Sequence, residues 1–143
     1  MDLVDNNILI SAFRPDLQHH PVAREWLQRA LNNGSRSIRL FPTVEAGFLR
    51  VVTHSGIFNP PSGMSEASAF LHTLFEVPSV EIASWTPACR KRWLTLCAIL
   101  ELSGKDCNDA MLAAVALERG LRIVTFDKGF HRFPDLKSEV LKG

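Results

Sequence analysis

Short apolar runs of strand length alternate along this chain with longer stretches of helical periodicity, and that alternation constrains the fold more than any other feature. Met1 to Asp5, Ser37 to Phe41, Val80 to Ala83 and Leu121 to Thr125 read as strands, with Glu139 to Leu141 as a last short one. Between them lie helical patterns. Asn7 to Phe13 is a short helix stopped by Arg14-Pro15, because proline cannot donate a backbone hydrogen bond and disfavours helical geometry in the residue before it. Pro21 to Asn33 repeats Val22, Trp26, Leu27 and Ala30 at three- and four-residue spacing. Pro42 to Thr53, Ser65 to Phe75, Pro87 to Ser103 and Asn108 to Arg119 complete the set, with Ser65 read as a cap and Gly104 and Gly120 as stops. Parallel strands need crossover connections, and helices supply them. The order predicts an α/β fold, a three-layer α/β/α sandwich around a central, mainly parallel β-sheet, with residues 1–143 forming a single domain.

Composition sets wide bounds. Hydrophobic residues make up 46% and charged residues 22%, the balance of an ordinary globular chain. The net charge of +1 neither demands nor excludes nucleic acid, although a protein coating duplex DNA would be more basic. The odd count of Cys89, Cys97 and Cys107 with no C-x-x-C argues against a zinc cluster or disulfide framework, and Cys89 and Cys97, eight residues apart in an apolar helical stretch, read as buried free thiols in a reducing compartment. Acids at positions 2 and 5 argue against a signal peptide, and no apolar stretch approaches the roughly 20 residues that cross a bilayer. A cytoplasmic protein without a membrane partner is the expectation.

Four acids fall near strand ends. Asp5 closes the first strand, Asp127 follows Val124-Thr125-Phe126, Glu45 lies one turn into a helix that follows a strand, and Asp109 lies in the first turn of a buried helix. In parallel α/β sheets the functional crevice lies at the carboxyl ends of the strands. Each acid also has a structural reading. Asp109 answers a helix dipole and shares capping-box spacing with Asp106, Asp127 opens a Lys-Gly turn, and Glu45 suits a helix surface. Asp5 alone resists such a reading, since a carboxylate between Val4 and Ile8-Leu9 would be desolvated without a partner. Taken together, clustered carboxylates repel one another, and a hard divalent cation relieves that repulsion. Such an ion lowers the pKa of bound water and braces the developing charge of a phosphodiester under attack. Asp106 is read as a helix cap outside the quartet.

The motifs around these acids resemble those of the PIN-domain ribonucleases. Asp5-Asn6-Asn7-Ile8-Leu9 resembles the family's opening, Pro42-Thr43-Val44-Glu45-Ala46-Gly47-Phe48-Leu49-Arg50 its second acidic segment, Asn108-Asp109-Ala110-Met111-Leu112 its third, and Val124-Thr125-Phe126-Asp127-Lys128-Gly129 its fourth. Order and spacing match over essentially the whole chain. The small size and the Thr-x-Glu-x-Gly-Phe-x-Arg run point further, to the VapC toxins of bacterial toxin–antitoxin pairs. The resemblance implies a PIN-like sandwich and an endoribonuclease dependent on one or two Mg²⁺ or Mn²⁺ ions, arresting translation by cutting tRNA or rRNA. It implies homodimerisation and neutralisation by a VapB-type antitoxin. Asp5, Glu45, Asp109 and Asp127 become the catalytic and metal-binding residues, with Asn7 and Thr125 orienting them by hydrogen bonds. Asn6 departs from the family's usual small hydroxyl residue.

Arg50, Lys105, Lys128, His131 and Arg132 lie near the acidic motifs and are candidates for contacting RNA phosphates. Arg90-Lys91-Arg92 reads as a solvated helix face or an antitoxin-facing one, and His19-His20 as a helix entrance. Two rivals stay open: a binding module that has lost catalysis, and a phosphatase using Asp5 as nucleophile. The second wants an acid two residues on, where this chain has Asn7.

Overall fold

A computed structural model of the protein describes residues 1–34 and 37–143. Its strands are β1 (Asp2–Val4), β2 (Ile38–Leu40), β3 (Val80–Ile82), β4 (Arg122–Thr125) and β5 (Ser138–Val140). Their order across the sheet is β3-β2-β1-β4-β5, and every pairing is parallel. The helices are α1 (Asn6–Phe13), α2 (His20–Asn32), α3 (Pro42–Val52), α4 (Met64–Phe75), α5 (Pro87–Ile99) and α6 (Asp106–Arg119), with a 3-10 helix at Lys128–Arg132.

The crossovers fix the layers. From β1 the chain steps to β2 and then β3 in one direction, and from β3 it returns past both to β4. Right-handed crossovers place α1 to α4 on one face and α5 and α6 on the other. The packing agrees: α1 lies against α2 and α3, α3 against α4, and α5 against α6. The expected sandwich is present, and its sheet is wholly parallel. Leu3, Val4, Ile123 and Val124 on the two central strands are fully buried, so these strands read as continuous apolar runs rather than alternating ones. Each such side chain contributes about 1.5–3 kcal/mol by leaving water. In α6 the small Ala110, Ala113 and Ala114 are also fully buried, and their size lets the helix lie close in the core. A buried Asp2 on β1 pairs with Arg122 on β4, at 3.1 Å from Nε, and Arg122 reaches Glu139 on β5 at 3.1 Å, tying three strands together.

Several element ends differ from the sequence expectation. Gly63, not Ser65, takes the extended N-cap position of α4, and Ser65 lies within the first turn. Helix α5 ends at Ile99 rather than Ser103. Glu101 adopts a left-handed φ of 51°, and the Leu102 and Glu101 N–H groups donate back to the carbonyls of Cys97 and Ala98. This is a Schellman closure, built here without glycine at its left-handed position. Cys97, near that end, is only partly buried, whereas Cys89 is fully so. Gly120 closes α6 at φ 65°, as expected.

The chain's direction of travel reverses between β1 and β4. Connections leaving their carboxyl ends therefore diverge, and a crevice opens where they part. Asp5 immediately follows β1, and Asp127 lies two residues beyond β4.

Candidate active site

Asp5 is the N-cap of α1. Its Oδ1 accepts the Asn6 N–H at 2.7 Å, and its Oδ2 accepts the Thr125 hydroxyl at 2.7 Å. The residue is 9% exposed, and Thr125 is completely enclosed. Thr125 Oγ1 in turn accepts the Asn7 side-chain amide at 3.1 Å and the Asp127 N–H at 3.0 Å. Asn7 Oδ1 accepts the Phe126 N–H at 3.3 Å. Asn7 and Thr125 thus join the start of α1 to the end of β4 and fix where both acids stand. Asp127 caps the 3-10 helix, its Oδ1 accepting the Gly129 N–H at 2.7 Å.

Asp109 projects from the first turn of α6, where Arg132 Nη2 stands 3.3 Å from its Oδ2. The same nitrogen lies 3.4 Å from Asp106 Oδ1. Arg132 Nη1 donates to the Gly129 carbonyl at 2.9 Å, and the guanidinium rests over the Phe133 ring. Among the described residues Asp106 makes no capping hydrogen bond, and the N-cap position belongs to Lys105. The cap expected at Asp106 is therefore replaced by a pair with Arg132. Arg132 itself is engaged within the acidic group rather than standing free for RNA.

Electrostatics link three of the four expected acids. Burial raises the Asp5 carboxyl to about 6, the charges of Asp109 and Asp127 add to the rise, and the Thr125 and Asn6 hydrogen bonds oppose it. Burial also raises Asp109, Arg132 holds it back, and Asp127 and Asp106 push it further up. Asp5, Asp109 and Asp127 therefore share one negative field. Glu45 does not join them. It is half-buried, raised by burial alone, and lines a hollow between α3 and α4 with Leu49, Leu71, His72 and Phe75.

A cavity of about 320 Å³ opens beside Asp5 and Asp109. Asp5 and Asn6 line it from the start of α1, Thr43, Gly47 and Arg50 from α3, and Asn108 and Asp109 from α6. Thr43, Gly47 and Arg50 recur at four- and three-residue spacing and share one helix face, while Glu45 and Leu49 share the next. That spacing explains why Glu45 faces elsewhere. Arg50 is exposed and has no ion-pair partner among the described residues. Lys105, Lys128 and His131 are exposed as well.

Two features of the site were not legible in the motifs. One is Arg132 as the cation of the acidic cluster. The other is Gly47, where an added Cβ would stand 2.8 Å from Asn6 Nδ2. A glycine in mid-helix, one turn from Thr43 and just before Arg50, was the available signal.

The donor chemistry suits a hard divalent cation, being carboxylate oxygen alone under mutual repulsion. In the arrangement seen, with Arg132 on Asp109, no three acidic, histidine or cysteine side chains among the described residues are grouped closely enough to hold one ion. Arg132 supplies part of the positive charge that the cluster requires.

The PIN domain family matches residues 3–136. Ribonuclease VapC43 of Mycobacterium tuberculosis is 34% identical over 137 residues, spanning 94% of this chain and 90% of the relative. Ribonuclease VapC25 of the same species is 32% identical and spans 96% of each. Among solved structures, VapBC-1 from nontypeable Haemophilus influenzae superposes with a TM-score of 0.70 at 15% identity, covering 97% of this chain and 96% of that one. VapC20 of M. tuberculosis, described as a sarcin–ricin loop cleaving toxin, gives 0.66 at 15% identity, covering 96% and 99%. At those identities the structural likeness speaks to the fold.

Proposed function

This chain belongs to the PIN domain family, among the VapC ribonucleases, and on that premise we propose that it is a toxin endoribonuclease whose active site is built on Asp5, Asp109 and Asp127. The observation that carries the assignment is that Asp5, at the end of β1, and Asp109, at the start of α6, line one cavity at the point where the strand order reverses, with the Asp127 backbone held by the same Thr125 hydroxyl that holds Asp5. Together they would hold one or two Mg²⁺ or Mn²⁺ ions. When bound, such an ion supplies activation of the attacking water and neutralises charge building on the phosphate.

The chain's own residues do the rest. Thr125 and Asn7 fix the Asp5 carboxylate and the Asp127 backbone before substrate arrives, so little reorganisation is left for the reaction. Arg50, exposed at the cavity, meets an RNA phosphate, with Lys105 and Lys128 extending the positive rim. Glu45 is retained as a fourth carboxylate of lesser weight, because its neighbours Val44 and Ala46 both line the cavity while its own side chain faces α4.

The substrate proposed is a structured RNA, tRNA or rRNA, cut in the cytoplasm so that translation stops. A VapB-type antitoxin and a second copy of the chain are the proposed partners, in keeping with toxin–antitoxin relatives of the same fold. No helix is long and apolar enough to cross a membrane among the described residues. Asn7, the position where a phosphatase would want its second acid, is committed to Thr125 and Phe126, which weighs against that chemistry. The test is to map new 5′ ends in total RNA after exposure to the protein in Mn²⁺, with Asp109→Asn as control. Discrete ends absent from the control support the assignment, and identical maps overturn it.

A further inference from the structure

The cavity beside the acids carries more polar equipment than the acidic cluster uses. The Asn6 carboxamide, the Asn108 carboxamide, the Thr43 hydroxyl and the Arg50 guanidinium all line it, and none makes a side-chain hydrogen bond among the described residues. Asn7, the adjacent amide, is by contrast fully committed to β4. The Asn6 amide stands in the space that a side chain at position 47 would enter. A Cβ there would come within 2.8 Å of Asn6 Nδ2, closer than such atoms approach. Glycine in a helix interior costs about 1 kcal/mol relative to alanine. In this helix that cost makes space for an amide that makes no side-chain hydrogen bond among the described residues.

We propose that the cavity is a nucleotide-reading subsite, in which Asn6 is a specificity-determining residue for one unpaired nucleotide of RNA next to the scissile phosphate. The chemistry follows from the groups. A carboxamide presents one donor side and one acceptor side, and so matches a base edge or a ribose 2′-hydroxyl that offers both. Arg50 is at hand for the flanking phosphate. The wall is concave and close to Asp5 and Asp109, so a nucleotide held in it must leave its stack. RNA is read in that way in loops and single strands, because the major groove of an A-form helix is too deep and narrow for side chains to enter.

This inference rests on the ribonuclease reading, and its test separates the two. Cleavage of a randomised single-stranded RNA pool in Mn²⁺ would be sequenced for the parent, Asn6→Ala, Gly47→Ala, the Asn6→Ala/Gly47→Ala double variant and the inert control Asp109→Asn. Mn²⁺ affinity would be measured on each by calorimetry, and melting curves would verify folding. Asn6→Ala removes the amide, whereas Gly47→Ala displaces it without removing any polar group. Both are expected to relax the preference at one nucleotide beside the cut and to lower discrimination there about tenfold, the worth of one good base contact. Mn²⁺ affinity should stay within twofold, and the double variant should be no worse than Asn6→Ala alone. An unchanged cleavage profile in both single variants overturns the inference. So does a loss of Mn²⁺ affinity in Asn6→Ala, which would place Asn6 in service of the acids instead. A parent that cuts no RNA while binding Mn²⁺ strikes the ribonuclease reading itself.

Discussion

The fully enclosed Thr125 hydroxyl donates to the Asp5 carboxylate at 2.7 Å across 120 positions of sequence. One oxygen there serves three partners, because it also accepts from the Asn7 amide and the Asp127 N–H. Thr125→Val keeps the shape and removes all three bonds. The expected cost is about 2–3 kcal/mol of stability from buried groups left unpaired. Mn²⁺ affinity is expected to fall roughly 10–100-fold, the usual result of losing a residue that orients a ligand. Thr125→Ser, which retains the hydroxyl, should recover most of both. Calorimetry and chemical denaturation check this, and a Val variant with unaltered Mn²⁺ binding would refute it.

Arg132 makes the opposite kind of contact, a cation set against Asp109 and Asp106. Arg132→Gln removes positive charge from the cluster. The metal-free protein should lose about 1 kcal/mol, since all three side chains are partly solvated. Mn²⁺ should nonetheless bind more tightly, because the competing guanidinium is gone. Weaker Mn²⁺ binding in this variant would show that Arg132 supports the site rather than competing for it.

The acids also set a pH dependence. The Asp5 carboxyl, 3.8 when unfolded, is raised to about 6 in the fold, so folding favours its protonated form. The stabilisation is full below 3.8 and is lost as pH rises through 6, on the order of 3 kcal/mol for this residue. Asp109 and Glu45 shift in the same direction. In EDTA, melting temperature should therefore rise as pH is lowered from 7.5 to 5.5. In saturating Mn²⁺ the trend should reverse, because protons then displace the ion. Parallel melts with and without metal decide the matter, and a metal-free melting temperature that falls over this range would refute it.

The carboxylates differ in expected weight. Asp5→Asn, Asp109→Asn and Asp127→Asn should each lower RNA cleavage at least 100-fold. Glu45→Gln should lower it about tenfold or less, because its side chain faces the α3–α4 hollow. Single-turnover rates on one RNA rank the four. A Glu45 variant as inert as Asp109→Asn would place Glu45 among the principal ligands.

Gly47 provides a stability test. In the Asn6→Ala background, Gly47→Ala should stabilise the protein by about 0.5–1 kcal/mol through helix propensity. In the parent the same change should gain less, because the new Cβ meets Asn6 Nδ2 at 2.8 Å. Equal effects in the two backgrounds would mean that the Asn6 amide moves aside freely.

Much of this was legible in the chain itself. Alternating apolar runs and helical patterns implied the sandwich, and Pro42, Pro87 and Gly120 marked helix ends correctly because proline and glycine act locally. Asp5 stood out because an acid between apolar neighbours needs a partner wherever the chain goes. The end of α5 was not legible, since Glu101 occupies a left-handed position that sequence reasoning reserves for glycine.

The sequence by itself determined the strands and helices, their order, and which acids lie near strand ends. Those properties depend on neighbouring residues and on periodicity. Only the tertiary structure decided which acids meet. Asp5 and Thr125 are brought together by the pairing of β1 with β4, and Arg132 reaches Asp109 and Asp106 from a separate turn. Glu45 is turned away by 100° steps around α3 that no motif spacing across the whole chain reveals. Asn6 and Gly47 fit together for a similar reason, because a missing Cβ acquires meaning only from the side chain that packs over it.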